Sequence, residues 1–134
     1  MERLPQWERG TPAVLCASGP HVIPISTAVR VADDTIRFAL GREREMLHRL
    51  REDWRAALLV MWKGLAFSAY GWAAVVAEEL EVADTVVAVE LRVERFQDHL
   101  ADGRTEMVDG ARWRWTNEQL AEAEPKIWAE LERL

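Results

Sequence analysis

Seven tryptophans, three histidines and one cysteine are the side chains of this chain with the most chemical reach, and their spacing limits what they can do. His21, His48 and His99 lie far apart without metal-ligand spacing, so a metal centre is not expected. A turn or surface position is the simpler reading of each. Cys16 lies in an apolar run at residues 14–17, with no histidine or base in an activating pattern near it, and reads as a buried, inert thiol. Trp62, Trp72, Trp113 and Trp115 fall on expected strands. Such an aromatic can stack on a planar ligand or line a pocket, although it more often fills a core or a subunit interface. Trp72, beside Gly71, is the best pocket candidate. The chain contains no Gly-rich dinucleotide fingerprint, P-loop, nucleophile elbow or triad pattern, and it names no catalytic side chain.

The elements that must position these groups follow from composition and periodicity. The 134 residues amount to one domain, and 49% hydrophobic residues suffice for a core without staples. A net charge of −6, with no Lys/Arg cluster free of acidic neighbours, argues against nucleic acid as a partner. No apolar run approaches the roughly 20 residues of a membrane-spanning helix. The N-terminal residues lack the apolar core of a signal peptide. A cytoplasmic protein with no membrane partner is expected, and the lone cysteine is consistent with a reducing compartment.

Residues 1–12, with Pro5, Gly10 and Pro12, read as an irregular lead that Leu4 and Trp7 pin to the body. Residues 14–17 make a short strand and Ser18-Gly19-Pro20 a turn. Over residues 23–31, Ile23, Ile25, Val29 and Val31 share one face of a half-buried strand, with Pro24 at an edge or bulge. Asp33-Asp34 turns the chain into a second alternating strand at 35–40, which makes an antiparallel hairpin. A helix is expected over 42–53, with Met46, Leu47, Leu50 and Trp54 in one apolar stripe. Residues 56–62 carry no polar side chain and read as a central strand covered on both faces. The strand at 65–77 is rich in small residues, and Gly71 within it marks a close approach or a barrel corner. An acidic connection at 78–84 leads to another alternating strand at 87–94. Asp109-Gly110, within 105–115, signals a type I′ hairpin with positive φ at both residues. Thr116 is expected to cap a helix over 117–123, with Gln119 completing a capping box. Pro125 then opens a second helix over 125–133, with Ile127, Trp128, Leu131 and Leu134 inward.

This order of elements, opened by Gly19-Pro20-His21-Val22-Ile23-Pro24-Ile25, resembles the pyridoxamine-5'-phosphate-oxidase-like, flavin-binding split β-barrels over residues 14–96. The resemblance implies a mostly β fold: a six- to seven-stranded Greek-key split β-barrel with one short inserted helix and a C-terminal helical segment. Residues 1–134 would form a single domain, with the helical tail at 116–134. It also implies a homodimer holding flavin mononucleotide (FMN) between identical chains. The phosphate would lie where the strand after the first hairpin runs into the short helix, since free N–H groups and the positive end of a helix dipole favour an anion.

The family's strand-end Thr falls on Leu40, the Ser and Lys of its Ser-x-Lys on Arg44 and Met46, and its later Gln near Ala66. Arg42 and Arg44 are then the guanidinium groups left to contact the phosphate. Their plainer reading is as solvated charges paired with Glu43 and Glu45. Ser26, Ala39 and Trp72 complete the expected cofactor contacts. The implied function is a flavin- or deazaflavin-binding oxidoreductase that transfers hydride to or from a small molecule, with the cofactor carrying the electrons. The alternative, favoured by the changed Ser-x-Lys, is a non-enzymatic barrel dimer that binds another ligand, such as haem through a histidine, or a protein partner.

Overall fold

Period-two apolar patterning sets one face of a strand on a core, and the alternating runs form strands in the computed structural model, which describes residues 3–134. The first two residues of the expected lead lie outside the described residues. The elements are β1 (Ala13–Ala17), β2 (His21–Ile25), β3 (Val29–Ala32), β4 (Thr35–Gly41), α1 (Glu45–Glu52), β5 (Arg55–Trp62), β6 (Leu65–Ala77), β7 (Val86–Asp98) and α2 (Glu118–Arg133). Seven strands form one sheet in the order β2-β1-β5-β6-β7-β4-β3, every pair antiparallel. β5, β6 and β7 follow one another and β4 lies beside β7, a Greek key. The edge strands β2 and β3 are neighbours in sequence, joined only through Ser26, Thr27 and Ala28, so the sheet must curl until its edges approach. These edges do not pair, and α1 packs on β1, β2 and β4 across the opening. The result is a split β-barrel with one inserted helix and a C-terminal helix. Among the described residues no helix is long and apolar enough to cross a membrane.

Leu15, Ile36, Phe38, Leu58, Val60 and Leu91 are wholly buried inside the barrel. α1 adds Met46, Leu47 and Leu50, three of the four residues of the expected stripe; Trp54 lies beyond the helix end and packs half-buried against the same core. Each such side chain contributes about 1.5–3 kcal/mol by leaving water. The lead is pinned as expected: Leu4 is buried, and Trp7 Nε1 donates to Ala28 O at 3.0 Å. A second, smaller core forms on the other face of β3, β4 and β7, where α2 sets Leu131 against Val29, Leu80 and Ala88. Glu130, also buried, has both carboxylate oxygens satisfied: they accept the Glu81 and Val82 N–H groups at 2.8 and 3.0 Å. Gly71 sits at a bulge between β6 and β7, where a Cβ would lie 1.8 Å from Arg92 O. Its role is the close approach of another backbone.

Several expectations change. The strand over 23–31 is interrupted, because residues 26–28 carry the chain from one sheet edge to the other. The alternation shifts phase there: Ile25 and Ala28 enter the barrel core, while Val29 enters the core under α2. α1 begins at Glu45, so Arg44 is its N-cap and not part of its first turn. β5 is buried on its inner face only; Ala57 and Leu59 are half-buried and Met61 is exposed. Cys16, beside them, is likewise half-buried.

Residues 105–115 form no hairpin, and neither Asp109 nor Gly110 has positive φ. Gly110 instead provides room against β5: a Cβ there would lie 2.6 Å from Trp62 Cε3 and 2.7 Å from Met61 O. The expected pair of C-terminal helices is one continuous helix running through Pro125. An internal proline costs about 3 kcal/mol, and burial of Glu124, Glu130 and Leu131 on either side of it holds the helix to the barrel. Asn117, not Thr116, is the cap; its Oδ1 accepts from the Gln119 and Leu120 N–H groups. Leu134 is exposed, beyond the inward stripe.

Candidate ligand cavity

The link between β2 and β3 leaves the ladder, and Thr27 restores part of it. Its hydroxyl accepts from Ala39 N–H at 3.0 Å and donates to Ala39 O at 3.3 Å. Beside this stitch lies a cavity of about 380 Å³, within the roughly 300–1,000 Å³ of small-molecule sites. Pro24, Ile25 and Ser26 come to its wall from the end of β2, and Ala39, Leu40 and Gly41 from β4. Arg44 enters from the start of α1, Trp113, Arg114 and Trp115 from the segment before α2, and Glu124 from α2 itself.

Of the residues expected at a cofactor, Ser26, Ala39, Leu40 and Arg44 meet at this cavity and the other four do not. Arg42 turns to the acidic connection, donating to Glu78 O at 2.9 Å and Asp84 O at 2.7 Å. Met46 is wholly buried in the barrel core. Ala66 is buried opposite Met61, near the turn between β5 and β6. Trp72 lies 48% exposed on β6 with its indole N–H on Glu94.

The plain pairing of Arg44 with Glu43 or Glu45 does not form. The Glu45 carboxylate takes His21 Nδ1 at 2.9 Å and Arg49 Nε at 3.2 Å. Among the described residues no ion pair or side-chain hydrogen bond engages Arg44. Its stem lies against Gly41, where a Cβ would sit 3.2 Å from Arg44 Cγ. Arg44 also supplies no side-chain cap, so N–H groups at the start of α1 remain free for an anion. The cavity therefore joins an unpaired cation and a helix start to the apolar side chains of Ile25 and Leu40 and the indoles of Trp113 and Trp115.

Glu124 was not among the expected site residues. It is 7% exposed, and its Oε2 accepts from Ser26 Oγ at 3.1 Å and from Trp115 Nε1 at 2.6 Å. Trp128 Nε1 donates to Ser26 O at 3.0 Å, so α2 grips the β2–β3 link twice. The signal was available in the spacing: Glu124 precedes Ile127, Trp128 and Leu131 by three, four and seven positions, which puts an acid on the inward stripe.

No protein-family model and no curated protein matches this sequence. Solved structures do. A candidate pyridoxamine 5'-phosphate oxidase from Listeria innocua is similar at a TM-score of 0.55 and 15% identity, over 66% of this chain and 88% of that one. HupZ from Group A Streptococcus is similar at a TM-score of 0.57 and 12% identity, over 76% and 90%. An F420 reductase is similar at 0.57 and 12%, over 67% and 91%. Identities this low establish architecture alone, and the architecture of this chain is the split β-barrel of the pyridoxamine 5'-phosphate oxidase-like proteins.

Proposed function

We propose that this chain is a flavin- or deazaflavin-binding oxidoreductase that acts on a small molecule as a homodimer, with its cofactor in the cavity at the β2–β3 link. The observation that carries the reading is Arg44: an unpaired guanidinium at the start of α1, in the wall that also holds Ser26, Ala39 and Leu40. The residues present fit the group. Arg44 and the free N–H groups of α1 suit a phosphate-bearing arm. Ile25, Leu40 and the indoles suit a flat ring. When bound, the cofactor supplies electron-pair transfer. The chain's own work is to neutralise the arm at Arg44, to position the ring beside Ser26, and to exclude water with Trp113 and Trp115. The F420 reductase of the same fold supports deazaflavin equally with flavin.

Apolar side chains on the outer surface of β1, β2, β5 and β6 support the dimer. Val22 is 55% and Met61 38% exposed, and Val14, Leu59 and Tyr70 lie half-buried near them. A contiguous apolar patch of this kind marks an interface, and a second copy of the chain is the simplest occupant. The second reading, a barrel without flavin, draws support from Met46: the position of the family's lysine lies inside the core and offers no charge. Haem fits less well, because none of the three histidines lines the cavity. The test is to titrate purified protein into FMN while following flavin absorption and fluorescence. Saturable quenching at micromolar protein supports the proposal. An unchanged spectrum and unquenched fluorescence transfer the reading to the barrel without flavin.

A further inference from the structure

A buried carboxylate needs donors, and Glu124 has them on one side only. Ser26 Oγ and Trp115 Nε1 both donate to Oε2. Among the described residues no hydrogen bond reaches Oε1, although a carboxylate oxygen can accept two. No side-chain polar atom sealed from solvent is left without a partner. Oε1 is therefore not sealed, and the space that Glu124 borders is the cavity. The two bonds to Oε2 fix the carboxylate in place, so its second oxygen is an oriented acceptor facing the cavity.

The rest of the wall sharpens the point. Glu124 is its one acidic residue, set against Arg44 and Arg114. The Thr27 hydroxyl is committed to Ala39 and the Ser26 hydroxyl to Glu124 itself. The cavity thus offers positive charge for an anionic arm and a single strong acceptor for an N–H donor, with aromatic and aliphatic side chains between. We infer that Glu124 Oε1 recognises the N–H edge of a flat heteroaromatic ligand. For an oxidised flavin that edge is the imide N3–H, its one ring N–H. The assignment rests on the proposed flavin reading and specifies which edge of the ring enters first. No proton is transferred: the imide donates and the carboxylate accepts. The bond is charge-assisted, stronger than one between neutral groups.

The experiment compares riboflavin with N3-methylriboflavin, which keeps the ring and loses the donor. Dissociation constants are measured by flavin fluorescence on the full chain and on its Glu124→Gln variant. In the variant the amide oxygen can keep Ser26 and Trp115 while its NH₂ turns to the cavity, so the acceptor becomes a donor. The expected result is a cycle with strong coupling. N3-methylation weakens binding to the unaltered chain by at least about tenfold, Glu124→Gln weakens riboflavin by a similar factor, and the methylated ligand binds both proteins alike. Because the methylation arm uses the unaltered chain, the inference can still be overturned when the variant folds poorly; the variant is what separates a lost bond from added bulk. Riboflavin and its methylated form binding the unaltered chain equally would overturn the inference and leave the flavin reading standing. A methylation penalty of equal size in both proteins would do the same, since it would report bulk and not a lost bond. Absence of any flavin binding, with FMN as the further probe, would overturn the flavin reading and this assignment together.

Discussion

Replacing Arg44 by alanine separates the phosphate arm from the ring. Its guanidinium is unpaired and lines the cavity, so truncation removes the cavity's charged contact at the start of α1 without leaving a buried partner exposed. Charge-assisted contacts of this kind are worth about 1.5–3 kcal/mol. At about 1.4 kcal/mol per tenfold, Arg44→Ala should weaken FMN by roughly ten- to a hundredfold. Riboflavin has no phosphate and should change less than about twofold, since ring contacts at Ile25 and Trp115 are untouched. Raising the salt concentration should shrink the FMN difference, because Arg44 is exposed and screened. Arg42→Ala is the contrast. Its two bonds to the Glu78 and Asp84 carbonyls hold the acidic connection, so it should cost about 1 kcal/mol of stability and leave FMN affinity intact. Fluorescence titration of both ligands on both variants decides the matter. Equal losses of FMN and riboflavin in Arg44→Ala would refute the reasoning, and so would an FMN loss confined to Arg42→Ala.

Gly71→Ala places a Cβ 1.8 Å from Arg92 O, a backbone atom that can move only with its strand. The cost should be about 3 kcal/mol or more, a fall in Tm of roughly 10 °C, and a melting curve within 2 °C of the parent, by about the scatter of such scans, would refute it. Asp53 titrates well below the usual carboxylate range, held there by the Arg55 guanidinium and then by the Ser18 hydroxyl. A depressed carboxylate adds stability above its unfolded value of about 3.9 and loses it as pH falls through the folded one. Asp53→Asn should therefore lower Tm at pH 7 and narrow its gap from the parent below about pH 4, and an equal gap at both ends would contradict this. Met61→Glu puts a charge in the outer apolar patch and should turn a dimer into a monomer by light scattering; a parent already monomeric would remove the dimer from the account.

Sequence pattern carried the strands, and the family resemblance the barrel, further than either carried the site. The strand at 35–40 was legible because one buried face imposes alternation, those at 56–62 and 65–77 as an apolar and a small-residue run, and the α1 stripe because three core contacts impose helical spacing. The break at residues 26–28 was hidden, because Ile25 and Val29 are both apolar and both buried yet serve different cores. Asp109-Gly110 misled: the same dipeptide that suits a tight turn also suits close packing, and contact with Trp62 decided between them. Pro125 misled in the opposite sense, since tertiary burial on both sides outweighs its local penalty. For the cavity, the strand and helix-start residues Ser26, Ala39, Leu40 and Arg44 were within reach. Trp113 and Trp115 were not, because nothing local tells where a segment without secondary structure will lie across a barrel; Glu124 was legible only as an acid on the inward stripe of α2.

The most direct test of the central claim, that the cavity at the β2–β3 link holds the cofactor, is diffraction from crystals grown with FMN. The account predicts phosphate density beside Arg44 at the start of α1, with the ring between Leu40, Ser26 and Trp115 and its pyrimidine edge toward Glu124. Flavin density against Trp72 and Glu94, or an FMN-saturated crystal with this cavity empty, would contradict it.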